Sequence, residues 1–193
     1  MPSRSGHSSS DVPDNRFGLT VLADLQRRET PLALRRLLEL QQEPIAGNFD
    51  TEHLRAIHRY IFQDVYDWAG ELRAVNIAKA QAIFPPPQFL KSSLDALFAE
   101  LARESCLRLL PPSAWPHRAA YFLGEINAVH PFREGNGRTQ REFIRELALA
   151  AGHRLVWASL TQEEMIRASQ LSFVRKDYSA LERILAGALI ASR

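Results

Sequence analysis

The sequence predicts an all-α domain that carries one small β-hairpin. Three observations predict it. Apolar residues recur at spacings of three and four in segment after segment, alternation is confined to one stretch, and no shift in composition divides the 193 residues.

Met1 to Asn15 is rich in Ser, Gly and Pro and nearly devoid of apolar residues, so 1–16 reads as a disordered leader and 17–193 as the folded domain. Thr30-Pro31 reads as a helix start, an N-cap followed by Pro at the first helical position. Leu34, Leu37, Leu38 and Ile45 would form its apolar stripe, and Glu43-Pro44 would end it. Asp50 caps the strongest helix, where Leu54, Ile57, His58, Ile61, Phe62, Val65 and Tyr66 share a face and Gly70 follows. Leu72 to Ile77 alternates and, with Ala82-Ile83-Phe84, forms the hairpin. Pro85 to Pro87 opens a helix burying Phe89, Leu90, Leu94, Leu97, Phe98 and Leu101. Further helices span Ser113 to Val129, Glu142 to Ala151, a segment opened by the capping box Thr161-Gln162-Glu163-Glu164, and Tyr178 to Ala191.

Hydrophobic residues at 46% and charged residues at 24% suit a globular chain. A net charge of +2 without a basic run gives no footprint for direct nucleic-acid binding. Cys106 is the only cysteine, which excludes an internal disulfide and reads as a small buried apolar residue. No run of about 18 apolar residues and no apolar signal core occur, so a cytoplasmic protein that does not engage membranes is expected. His53 and His58, five apart with no third ligand nearby, read as packing or surface histidines rather than a metal pair.

One stretch concentrates chemistry: His130-Pro131-Phe132-Arg133-Glu134-Gly135-Asn136-Gly137-Arg138-Thr139-Gln140-Arg141. Gly135 and Gly137 let backbone amides turn inward to form an anion nest. The helix that follows aims its free N–H groups and positive dipole end at the same spot. Arg138 and Arg141, three apart, share a face, and their planar forks suit phosphate oxygens. Glu134 in that positive ring is placed to hold Mg²⁺ against phosphate. His130, as an imidazole, could then act as a general base near neutral pH.

Every defined position of this stretch resembles the signature of the Fic (filamentation induced by cAMP) family, His-x-Phe-x-Asp/Glu-Gly-Asn-Gly-Arg-x-x-Arg. Gly47-Asn48-Phe49-Asp50 and Phe62 to Gly70 resemble the family's preceding helix, and Arg73 to Lys79 its flap. The resemblance implies a Fic-type helical domain that transfers AMP from ATP to a Ser, Thr or Tyr hydroxyl of a target protein. His130 would then be the base and Glu134 the Mg²⁺ ligand. Gly135, Asn136 and Gly137 would cradle the phosphates, with the Asn136 side chain as an extra donor. Arg138 and Arg141 would clamp the β- and γ-phosphates, Phe132 would be a buried anchor, and Lys79 would contact the nucleotide. Ala80-Gln81-Ala82 departs from the Gly or Ser usual after that lysine, so a solvated loop lysine is the other reading of Lys79. Gly137, where Doc-type kinases of the family carry Lys, favours AMP transfer.

Many members are restrained by a helix with the pattern Ser/Thr-x-x-x-Glu-Gly/Asn. The only Glu followed by Gly or Asn here is Glu134, preceded four residues earlier by His130. The resemblance therefore implies a bacterial toxin restrained by a separate small antitoxin, with DNA gyrase or topoisomerase IV as targets. A host-directed effector, a transferase using another nucleotide donor, and a catalytically silent nucleotide-binding module remain as alternatives.

Overall fold

The computed structural model describes residues 12–79, 82–157 and 160–190. Seven α-helices lie among them: α1 (Leu22–Gln42), α2 (Thr51–Phe62), α3 (Leu90–Arg103), α4 (Trp115–Val129), α5 (Asn136–Ala150), α6 (Gln162–Arg175) and α7 (Ser179–Ala188). Two-residue strands β1 (Ala78–Lys79) and β2 (Ala82–Ile83) pair antiparallel, Ala78 opposite Ile83 and Lys79 opposite Ala82. A second pair, β3 (Arg154–Leu155) with β4 (Leu189–Ile190), was not expected from the sequence. Two residues are too few to show a period, and the partners lie far apart in the chain. The all-α architecture with a small hairpin is as expected.

The core is built around α4, which packs against α3, α5, α6 and α7, while α2 packs against α1, α3 and α5. Trp115, Phe122, Phe132, Phe143, Phe62 and Tyr66 are the largest side chains fully enclosed. Removing any one of them would cost about 3–5 kcal/mol in transfer and cavity terms.

Helix α1 corrects the reading of Thr30-Pro31 as a start: it begins at Leu22 and runs through Pro31. Proline there has no N–H to give the preceding turn, while Thr30 Oγ1 donates to Gln26 O at 2.8 Å. Burial of Leu25, Glu29, Ala33 and Leu40 holds the helix together across that gap. The face is also different, for Leu34 and Leu38 are exposed.

Asp50 caps α2 as expected, its carboxylate accepting from His53 N at 2.8 Å. Leu72 to Ile77 is irregular rather than a strand. Arg73 is buried there, between a half-buried Leu72 and an exposed Ala74. Phe89 belongs to a 3-10 turn, Pro87–Phe89, and is exposed rather than part of the buried face of α3. Cys106 is buried, in a turn where Ser105, Cys106 and Leu107 all take left-handed φ of 54°, 51° and 56°. The capping box at Thr161 forms, with reciprocal bonds to Glu164.

Of the segment read as a leader, Met1 to Asp11 lies outside the described residues, as do Ala80, Gln81 and Ala191. Residues 12–16 dock on the helical body. Arg16 N donates to Val65 O at 2.9 Å, Trp68 Nε1 to Asp14 O at 2.8 Å, and Arg133 Nη1 to Asp14 at 3.3 Å. Among the described residues no helix is long and apolar enough to cross a membrane.

Candidate active site

The signature forms the connection from α4 to α5. His130 ends α4 in the left-handed conformation, φ 47° and ψ 62°, a shape that costs a non-glycine residue about 1–2 kcal/mol. Arg73 holds it there. The Arg73 Nε donates to His130 O at 2.8 Å, Nη1 to Val75 O at 2.8 Å and Nη2 to Pro85 O at 2.6 Å. Its backbone N–H adds a bond to Pro131 O at 2.9 Å. No carboxylate neutralises this buried guanidinium among the described residues, and burial pulls its pKa down. The His130 ring lies against Phe84, centroids 4.2 Å apart and nearly parallel.

Beyond His130 the chain is fixed by its own side chains. Phe132 is fully buried and stacks on His58 at 3.9 Å. Phe132 N donates to Asn136 Oδ1 at 2.9 Å, and Asn136 Nδ2 donates to Phe132 O at 2.7 Å. The Asn136 side chain thus closes the loop on Phe132 with one of its two N–H donors, and its backbone N–H lies at the helix start. His58 completes the frame. Gly70 N donates to its Nδ1 at 2.8 Å, which leaves the proton on Nε2 to donate to Glu134 O at 3.1 Å. Burial pushes the His58 pKa down to about 3, so the ring is neutral.

Helix α5 begins at Asn136, not at Glu142, and that shift puts the glycines to work differently. Gly135 alone is left-handed, φ 78°; a Cβ there would lie 2.3 Å from the Phe62 ring. Gly137 is helical, and a Cβ would meet only Arg141 Nη1, at 3.4 Å. No side chain among the described residues caps this helix. The first amide to find an acceptor is that of Thr139, on Gly135 O at 3.2 Å. The N–H groups of Asn136, Gly137 and Arg138 are the orphan donors of a helix start, an anion site in waiting.

Two arginines stand over that start. Arg138 lays its guanidinium on the face of Phe62, 4.6 Å from the centroid, and pairs through Nη2 with Glu29 of α1. Arg141 forms no ion pair among the described residues; burial and the nearby Arg138 charge both lower its pKa, in that order. Two cations side by side, one without an acid, are a standing demand for a polyanion. Glu134 is partly exposed, and the one bond to its carboxylate among the described residues comes from Gly135 N–H at 3.2 Å. A single carboxylate beside a phosphate site is the donor set Mg²⁺ takes, the rest of its shell being phosphate oxygens and water. Among the described residues no cluster of three or more His, Cys, Asp or Glu could hold a metal unaided. Lys79 lies in β1, its backbone opposite Ala82.

The structure thus brings His130, Glu134, Gly135, Asn136, Gly137, Arg138 and Arg141 to one loop and helix start. Sequence reasoning missed four supports: Arg73, His58, Glu29 and Tyr66. An arginine at the inward position of an alternating stretch was the one signal available for Arg73. Glu29 was hidden by placing the helix start one residue after it. A cavity of about 380 Å³ between Pro116, His153, Ala186 and Ile190 is lined by none of these residues.

With this geometry in view, the likeness to known proteins is informative. Residues 48–148 match the model of the Fic/DOC family. The chain is 43% identical over 159 residues to protein adenylyltransferase VbhT of Bartonella schoenbuchensis, covering 82% of this chain and 33% of that protein. It therefore spans about a third of VbhT. It is 33% identical to the probable protein adenylyltransferase Fic of Escherichia coli, covering 90% of this chain and 86% of that one. The fold superposes on BepC of Bartonella tribocorum, solved with bound AMPPNP, at a TM-score of 0.87 and 22% identity over 97% of this chain and 96% of that one. That last likeness concerns the fold. The chain belongs to the Fic/DOC family.

Proposed function

We propose that this chain is a protein adenylyltransferase that moves AMP from ATP to a Ser, Thr or Tyr hydroxyl of a target protein. The observation that carries it is the uncapped start of α5 under Arg138 and Arg141, with His130 locked on the adjoining loop. Phosphoryl-type transfer asks little covalent work of a protein and much positioning of charge. The α5 amides and the two arginines would hold the triphosphate. His130 would take the proton of the attacking hydroxyl as its oxygen bonds to the α-phosphorus and pyrophosphate leaves. Glu134 would hold Mg²⁺, whose part is to neutralise phosphate charge. The names of VbhT and of the Escherichia coli relative support this chemistry.

Restraint by a separate antitoxin belongs to the same proposal. Arg141 has no acid partner among the described residues, so a Glu supplied in trans by a Ser/Thr-x-x-x-Glu-Gly/Asn helix has a place to bind. Arg141→Ala should then weaken both ATP use and inhibition by the partner; inhibition persisting unchanged on the residual activity refutes the pairing. DNA gyrase and topoisomerase IV are the first targets to assay.

The direct test is labelling of a bacterial lysate with α-³²P-ATP and Mg²⁺, comparing wild type with His130→Ala. A band that appears with wild type and vanishes with the variant supports AMP transfer. Label arriving only from γ-³²P-ATP means a kinase, and no label from either nucleotide removes the reading.

A further inference from the structure

Glu29 is a buried carboxylate on α1, far in sequence from the signature, and each of its oxygens has a partner. Oε1 pairs with Arg138 Nη2 and Oε2 accepts from the Tyr66 hydroxyl. Tyr66 is itself buried, and burial first, then Glu29, holds its pKa well above the ordinary phenol range, so it stays a neutral donor. A carboxylate fixed on both sides and 6% exposed has no route to water that would let it swing away. It is a post, not a latch. Against it, the guanidinium of Arg138 is held over the Phe62 ring by one N–H, leaving its other donors uncommitted among the described residues. The α5 turn brings Arg138 and Arg141 close enough for the first charge to lower the pKa of the second.

We propose that Glu29 is the positioning residue for Arg138: α1 supplies a fixed counter-charge that sets this guanidinium toward the β- and γ-phosphates before nucleotide arrives. The inference rests on the adenylyltransferase reading above and adds to it an element outside the signature. A side chain pre-set in this way saves the nucleotide the ordering cost of a long, flexible arginine. Its loss should be felt by ligands that carry the outer phosphates and hardly by AMP.

The experiment is a calorimetric titration of the whole chain with AMPPNP and, separately, AMP in Mg²⁺, together with ATP kinetics. Glu29→Gln, which keeps the shape and removes the charge, should weaken AMPPNP roughly tenfold, the scale of one charge-assisted hydrogen bond. AMP should be unaffected, and KM for ATP should rise more than kcat falls. In an Arg138→Ala background Glu29→Gln should cost nothing further, an outcome that a merely structural role would not give. Tyr66→Phe, which frees one oxygen of the post, should weaken AMPPNP about threefold and carries the test if Glu29→Gln does not fold. Wild-type affinity in these variants, tighter binding in Glu29→Gln, or full additivity with Arg138→Ala overturns the proposal alone. Wild type that binds no AMPPNP overturns the adenylyltransferase reading with it.

Discussion

At the scale of single residues the site is held by groups that do no chemistry. Gly135 is the least replaceable. A Cβ on its left-handed backbone would strike the Phe62 ring at 2.3 Å, so Gly135→Ala should cost at least about 2 kcal/mol from strain and overpacking together. Urea unfolding measures that loss. His58 makes a different prediction. Its native pKa near 3 lies below the unfolded value of 6.5. The unfolded chain therefore binds a proton that the native chain refuses, and stability falls as pH drops from about 6.5 toward 3. The slope contributed is up to about 1.4 kcal/mol per pH unit. Urea midpoints between pH 7 and 4 should fall more steeply for wild type than for His58→Asn, and parallel curves would refute the assignment. That the signature residues gather on one loop and helix start was legible in the sequence because they are contiguous in it. Their supports were not: Glu29, His58 and Arg73 act across 109, 76 and 57 positions of chain, and no local period encodes a contact that long.

At the scale of elements, helices with strong stripes were readable and punctuation misled. Asp50 and Thr161 announced α2 and α6 because an N-cap works locally. Thr30-Pro31 carried the same signal, yet tertiary burial on both sides of Pro31 extends α1 through it. The gap in its bonding is a cost the fold carries. Pro31→Ala should restore an N–H to the helix interior and raise stability by about 1–3 kcal/mol, seen as a higher melting temperature. An unchanged or lower value would mean that proline has been absorbed by local geometry. The start of α5 was placed late for the opposite reason. Asn136 and Gly137 are poor helix formers, and they are helical because Asn136 is tied to Phe132 and Gly135 turns the chain.

For the molecule as a whole, the site is a junction. Helix α1 brings Glu29, α2 brings His58 and Phe62, and the α4–α5 connection brings the signature. A ligand seated there binds the folded chain and not the unfolded one. Mg²⁺-ATP at a hundredfold excess over its Kd should therefore stabilise the protein by about 2.7 kcal/mol. Thermal shift should show this in wild type and largely lose it in Arg141→Ala. The root of the hairpin joins the same junction through Arg73, whose bonds run to His130 O, Pro131 O and Pro85 O. Strand pair and histidine are thereby geared together by one side chain. Force applied to the hairpin therefore reaches the backbone of His130 through that side chain. In deuterium exchange, the amides of Arg73 and Phe132 should open as one unit, at a common rate, rather than as loop and hairpin separately.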